Sequence, residues 1–382
     1  MLNKIDNNLL KKIAILRNGS QSCIVRFDSK ESLNNYVLEI SNSWFEVFTL
    51  NNTIATELTF ATIYKLASRD DVVYISSTPK VCTCINIAKE IIGVKTNKDM
   101  AKFSIAIIDT GLYPHVDFMM GKHVKISAFV DLINSRSCMY DDNGHGTFVT
   151  SLICGNGLVS NNKYSGIDKN NNIVAIKALD NNGETSAVNI LRAMQWVYDN
   201  ADLYNIKIVC MSFGSNPLDK NDPLMTGAEA LWNKGIVVVS ACGNSGPQSE
   251  TIKSPAISTK IISVGALDDN RLDNKYDITK FEVADFSSRG PAFGNYKPDI
   301  IVSGVDVVSA CNYHITKKFY DQMSGTSVAA PIVAGVVSLL LKKYPNHSPD
   351  QIKKILISNC NTITGDRNSE GYGWLDLRNL NI

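Results

Sequence analysis

Phe103-Ser104-Ile105-Ala106-Ile107-Ile108-Asp109-Thr110-Gly111 is an apolar run that ends in a carboxylate and a turn. It shows no alternation of apolar and polar residues, so residues 103–108 read as a strand buried on both faces. The same kind of run recurs at 124–130, 173–178, 208–211, 236–239 and 261–264. Helical stretches lie between them, among them 187–198 and 226–234. Strands alternating with helices predict an α/β domain over 101–382, a doubly wound, mostly parallel sheet flanked by helices. In such sheets functional groups sit at the carboxyl ends of strands, where Asp109 falls.

Upstream the pattern is different. Residues 22–27 read as a strand, and 29–40 as a helix with Ser29 as its N-cap. Strands over 44–50 and 53–60 are joined by Asn51-Asn52, a hairpin signal. A helix over 61–68 and a strand over 72–77 complete β-α-β-β-α-β at about 21–78, the ferredoxin-like pattern. Residues 79–100 lose periodicity and read as a linker. The expected division is a small α+β domain within 1–90 and the α/β domain over 101–382.

Of the 382 residues 44% are hydrophobic and 20% charged, an ordinary balance for a packed globular chain. A net charge of +1 gives no electrostatic case for nucleic acid or an anionic membrane as partner. The run Ile13-Ala14-Ile15-Leu16 is too short for a signal peptide core, and the apolar run at 333–341 is too short to span a bilayer. Nine cysteines form no evident framework, which fits reduced thiols and a cytoplasmic location, with a spore-associated life or leaderless export left open. Cys82-Thr83-Cys84 lacks zinc-site spacing, so no metal or other cofactor is expected.

Asp109 at a strand end is either a cap for the next turn or a catalytic carboxylate. Aspartic proteases also carry Asp-Thr-Gly, but they bring two carboxylates together, and one triplet in a long α/β chain does not fit them. His145 lies in Asp142-Asn143-Gly144-His145-Gly146-Thr147-Phe148-Val149, with glycines on both sides that leave room for a substrate backbone. His115, His123, His314 and His347 occupy polar contexts and read as surface residues. Asn244 lies in Ser240-Ala241-Cys242-Gly243-Asn244-Ser245-Gly246-Pro247, just past a strand. Ser327 lies in Gly325-Thr326-Ser327-Val328-Ala329-Ala330-Pro331, ahead of an apolar helix expected over 332–344. A helix mouth offers unpaired N–H groups to a developing oxyanion.

Asp109, His145, Asn244 and Ser327, in that order, resemble the subtilases, the subtilisin-like serine proteases. Met211-Ser212-Phe213-Gly214, Phe286-Ser287-Ser288-Arg289-Gly290-Pro291, Lys297-Pro298-Asp299-Ile300 and Gly371-Tyr372-Gly373-Trp374-Leu375-Asp376 also look like family motifs. The resemblance implies an Asp109–His145–Ser327 triad with Asn244 as oxyanion donor, in a chemistry for which subtilisin is itself the established case. It implies a protein or peptide substrate whose backbone pairs with Ser212, Phe213 and Gly214 on one side and Gly183 with Glu184 on the other. Ala241, Cys242 and Gly243 would line the pocket for the residue before the cut. The N-terminal domain looks like the family's propeptide, an intramolecular inhibitor and folding aid removed by a cut near Cys84, at the end of Val81-Cys82-Thr83-Cys84. Other readings of the same residues are a silent subtilase-fold binding module and an acyl-transfer enzyme.

The chain also departs from the family. Val328 replaces the methionine that usually follows the nucleophile, which removes one site of oxidation. Asp117 matches one family calcium ligand, but residues 155–166 do not resemble the rest of that loop, so no calcium site is expected. Lys253 falls near the base of the specificity pocket, where a cation would favour an acidic or polar residue before the cut.

Overall fold

The computed structural model describes residues 2–5, 9, 10, 13, 19–40, 45–49, 52–77, 84–94, 103–120, 123–217, 219, 221–271 and 276–380. The chain divides into two compact units, Met1–Val81 and Cys82–Ile382.

The first unit contains β1 (Ser20–Phe27), α1 (Lys30–Glu39), β2 (Phe45–Phe48), β3 (Thr53–Thr59), α2 (Phe60–Ala67) and β4 (Val72–Ser77). Its sheet order, β2-β3-β1-β4, is that of a ferredoxin-like fold. Ser29 caps α1 by accepting the Ser32 N–H, and Asn52 takes the left-handed conformation the tight β2–β3 turn needs. Asn51 lies outside the described residues. Val25, Phe27, Leu33, Ile54, Ile63 and Ile75 pack this unit's own core.

The second unit opens with α3 (Cys84–Ile92), where a structureless linker was expected. Ala88, Ile91 and Ile92 recur on one helical face, and each is buried in the cores of this unit. Lys89 lies beside them and donates from Nζ to Ser165 Oγ at 2.9 Å. Burial pulls its pKa down to about 8.

The α/β core follows: β5 (Ser104–Asp109), β6 (Ile126–Asp131), α4 (His145–Cys154), β7 (Asn172–Lys177), α5 (Ala187–Asn200), β8 (Ile206–Met211), α6 (Pro223–Asn233), β9 (Val237–Ala241), β10 (Ile262–Asp268) and β11 (Ile300–Ser303). These strands pair in parallel in the order β6-β7-β5-β8-β9-β10-β11. Three short additions, Trp374–Leu375 in parallel on β11 and two antiparallel, complete a ten-stranded sheet among the described residues. From β5 the chain winds first toward β6 and β7, then returns to the other side of β5 as β8. The switch point of this doubly wound sheet therefore lies at the carboxyl ends of β5 and β8, where ligands bind in such folds.

A hairpin of β12 (Val307–Ala310) and β13 (Tyr320–Met323) leads into α7 (Thr326–Lys343), and α8 (Pro349–Ser358) follows. Helix α7 starts six residues earlier than residue 332 because Pro331 lies inside it. Proline has no N–H for the carbonyl four residues back, a loss of about 3 kcal/mol in a helix interior. Near-continuous burial from Val328 to Leu341 offsets it, at about 1.5–3 kcal/mol for each large apolar side chain. Among the described residues α7 alone is long and apolar enough to cross a membrane, and 83% of it is buried inside this domain. It reads as the core helix, packed on β8, β9, β10 and β11.

Candidate active site

Asp109 is the last residue of β5, at the switch point, and only 2% exposed. Its Oδ1 accepts the Thr110 N–H at 2.8 Å and faces His145 Nδ1 at 2.8 Å. Its Oδ2 is buried with no hydrogen-bond partner among the described residues. His145 opens α4 behind Gly144, whose φ of 102° suits glycine.

The strand end and the helix mouth approach this closely because residue 146 has no side chain. A Cβ on Gly146 would stand 2.3 Å from the Gly111 carbonyl oxygen and 3.2 Å from Asp109 Cβ. The glycine after His145 thus admits the Asp109 strand end, not a substrate backbone as the sequence suggested.

Burial works against a charged His145, and so does the positive end of the α4 dipole. The charge and hydrogen bond of Asp109, with a smaller contribution from Asp141, outweigh burial and hold the imidazole pKa above its usual value. Because Nδ1 faces the carboxylate, the proton is assigned to Nδ1 and Nε2 is left as the base.

Ser327 lies in the first turn of α7, and its N–H has no partner among the described residues. Asn244 follows β9. Its Oδ1 accepts the N–H and the hydroxyl of Thr326, both at 2.9 Å. That fixes which end of the amide is which, and turns Nδ2 outward as a donor. Thr326 Oγ1 also accepts the Gly243 N–H at 3.1 Å. The point where a side chain on Gly325 would begin lies 3.1 Å from Ser327 Oγ, 3.3 Å from Asn244 Nδ2 and 3.7 Å from Ser327 N. The serine hydroxyl and two unpaired donors thus surround one small space. His145 meets Asp109 at the carboxyl end of β5, and Thr326 meets Gly243 just past the carboxyl end of β9, so the two turns lie at the same end of the parallel sheet.

Residues 101–374 match the subtilase family, peptidase S8. The chain belongs to the subtilase family. It is 40% identical over 272 residues to serine protease AprX of Bacillus subtilis, which covers 66% of this chain and 60% of AprX. It is 30% identical over 280 residues to subtilisin DY of Bacillus licheniformis, covering 72% of this chain and 90% of that protein. Among solved structures, the S41 psychrophilic protease superposes with a TM-score of 0.63 at 26% identity, over 78% of this chain and all of that one. The chain spans less than two thirds of the length of AprX, and AprX and subtilisin DY are named as proteases.

The other residues singled out in the sequence lie near the same strand ends. Ser212, Phe213 and Gly214 leave the end of β8, and among the described residues no strand pairs with them. Phe213 and Gly214 share a cavity of about 320 Å³ with Gly183, Glu184, Leu179 and Leu224. The two expected edges therefore line the same cavity. Ala241 ends β9, and Ala241 and Cys242 are buried. Burial pushes the Cys242 thiol up to about 12, far from a reactive thiolate. Lys253 packs its stem against Gly214 and Gly243: a Cβ on Gly214 would meet Lys253 Cβ at 2.6 Å, and one on Gly243 would meet Lys253 Cγ at 2.4 Å. Its Nζ donates to Asn216 Oδ1 at 2.5 Å.

One residue differs from the sequence reading. His115 is buried, 2% exposed, and packs edge-on to Phe118, Phe319 and Tyr320. Its Nδ1 accepts the Asp117 N–H at 3.1 Å, and the aromatic rings cover the rest of the imidazole. Asp117 is fully buried, and its carboxylate accepts from the Tyr320 hydroxyl at 2.7 Å and the Val159 N–H at 3.3 Å. Its oxygens are engaged by protein donors, and no cluster of three or more His, Cys, Asp or Glu gathers among the described residues. Thr326 and Asp141 are site residues that the sequence reading passed over. An acidic residue before a glycine turn and a threonine before a serine look like ordinary turn chemistry.

Proposed function

We propose that this chain is a serine endopeptidase with Asp109, His145 and Ser327 as triad and Asn244 as oxyanion donor. The 2.8 Å contact between Asp109 Oδ1 and His145 Nδ1 supports this reading, because it leaves His145 Nε2 free to act as the base. Ser327 Oγ bonds to the scissile carbonyl carbon while its proton passes to His145 Nε2. The carbonyl oxygen becomes an oxyanion held by the Ser327 N–H and Asn244 Nδ2. The C–N bond then breaks, and the leaving amine takes the proton from the imidazolium. Water, deprotonated by the same nitrogen, attacks the acyl-enzyme and frees the acid and Ser327.

The substrate is an extended peptide whose backbone lies between Phe213–Gly214 and Gly183–Glu184, and Lys253 favours an acidic residue before the cut. The first unit acts as propeptide and intramolecular inhibitor, and the chain cuts itself just before or at the start of α3, near Cys84. Residues 81–83 lie outside the described residues. The separateness of the Met1–Val81 unit supports this assignment. N-terminal sequencing checks it: a start near residue 84 is expected, and an intact Met1 start contradicts self-processing.

Treatment with a fluorophosphonate and measurement of intact mass tests the main reading. A covalent adduct that disappears in Ser327→Ala, together with cut peptides in a digest, is expected. No adduct means a silent binding module, and an adduct with joined rather than cut peptides means an acyl transferase.

A further inference from the structure

Asp141 is the most heavily engaged carboxylate near the site, and the mechanism above gives it no role. It is 2% exposed and lies four residues before His145. Its Oδ1 accepts from Thr110 Oγ1 at 2.9 Å, Asn143 N at 3.2 Å and Gly144 N at 2.8 Å. Its Oδ2 accepts from Thr147 N at 2.9 Å and Thr147 Oγ1 at 2.6 Å. Thr110 follows Asp109 directly, and its Oγ1 accepts the Gly146 N–H at 2.9 Å. Thr147 Oγ1 in turn accepts the N–H of Tyr113, beyond the same strand end, at 2.9 Å. The carboxylate therefore ties both sides of the Asp109–His145 contact to itself.

No lysine or arginine pairs with Asp141 among the described residues. The nearby Lys177 ammonium goes to Asp142 at 2.6 Å and to the Thr110 and Leu179 carbonyls at 2.6 Å and 3.0 Å. The Asp141 charge is met by the N–H groups around the α4 mouth and by the Thr110 and Thr147 hydroxyls, not by a cation. A buried charge without a counter-ion acts over several ångströms. The nearest group that gains positive charge during turnover is His145.

We propose that Asp141 is a positioning residue for this site: it locks the Asp109 strand end to the His145 helix mouth and places a second negative charge behind the imidazole. The proposal rests on the serine-protease reading. The direction of the His145 pKa, to which Asp141 contributes after Asp109, is consistent with it. Other titratable groups on elements packed against α4 are distant from its mouth or already paired. Asp117, with His115 and Tyr320, sits at the far end, where Asn156 donates to the Asp117 carbonyl at 2.9 Å. Lys342 and Lys343 end α7, and Asp142 holds Lys177.

The test is kcat/KM against pH for the full chain, for Asp141→Asn and for Thr110→Val. Active sites are counted by fluorophosphonate adduct and folding is followed by Tm. Asp141→Asn removes the charge, reverses one hydroxyl bond and loses at least one N–H bond, so kcat/KM per labelled site should fall about 10–100-fold. Its acid limb should move to lower pH, because less negative charge favours the neutral imidazole. Thr110→Val removes one tie and keeps the charge: a smaller loss is expected, with the acid limb in place. A purely structural Asp141 would lower the number of labelled sites and leave the rate per site and the limb unchanged, which overturns the proposal. If Asp141→Asn does not fold, Thr110→Val decides, and an unchanged rate per labelled site overturns the positioning role. A wild-type chain that takes no label overturns the protease reading and this proposal with it. Wild-type turnover beside unaltered variants overturns the proposal alone.

Discussion

The two poles of the candidate site are held in different ways. The charged pole, Asp109 with His145, is tied by the Thr110 N–H, by the Gly146 close approach and by the five bonds of Asp141. The neutral pole, Asn244 with Ser327, hangs on Thr326, whose N–H and hydroxyl both orient the Asn244 amide. The difference follows from the chemistry each pole performs. A proton relay needs one tautomer and a fixed charge, which takes many constraints. An oxyanion donor needs only a dipole with its hydrogen-bearing end turned outward.

That contrast can be broken at either pole. The largest effect belongs to the reacting groups: Ser327→Ala or His145→Ala should lower kcat by about 10⁶-fold, the size measured in subtilisin itself. Asn244→Ala should cost about 10²–10³-fold in kcat, again as in subtilisin, with KM little changed because the donor acts in the transition state. The pH profile probes the charged pole alone. His145 must be neutral to act as base and its pKa is raised, so kcat/KM should fall as pH drops through a value above that of an ordinary histidine. A limb at or below the ordinary value would mean that Asp109 does not act on the imidazole as described. Thr326→Val keeps its backbone bond but loses the hydroxyl's bonds to Asn244 Oδ1 and from Gly243 N; the one that orients the amide, at about 1 kcal/mol, predicts a loss of roughly fivefold in kcat. Equal losses in Thr326→Val and Asn244→Ala would show that Thr326 does more than orient the amide. The smallest change is in specificity. Lys253→Gly should lower the preference for an acidic residue before the cut by a few-fold, in line with about 1 kcal/mol for a partly exposed charge. A peptide library with unchanged preference ends that role.

Much of this architecture is legible in residue order. The uninterrupted apolar runs at 103–108, 173–178 and 236–239 lie in β5, β7 and β9, because strands buried on both faces leave no alternation to misread. Ser29 and Asn51-Asn52 mark a helix start and a turn by local chemistry alone. Local signals fail where tertiary packing decides. Pro331 looks like a helix start, yet α7 runs through it because the helix is buried on nearly every side. Helix α3 has its apolar spacing, but that spacing is short and follows a stretch without periodicity. His115 reads as a surface residue until Phe319 and Tyr320, some two hundred positions away, close over it. The triad candidates are legible because each sits in a distinctive segment. Asp141 and Thr326 are not, because their roles exist only in the bonds that cross between segments.

Pre-steady-state titration with a chromogenic ester tests the joint action of the two poles most directly, since acyl-enzyme accumulation gives a burst. The wild-type chain, freed of any inhibiting N-terminal unit, should release close to one equivalent of product per chain. Asn244→Ala should give the same amplitude at a rate about 10²–10³-fold lower, and Ser327→Ala no burst. A burst that survives Ser327→Ala, or an Asn244→Ala burst at the wild-type rate, would contradict the account.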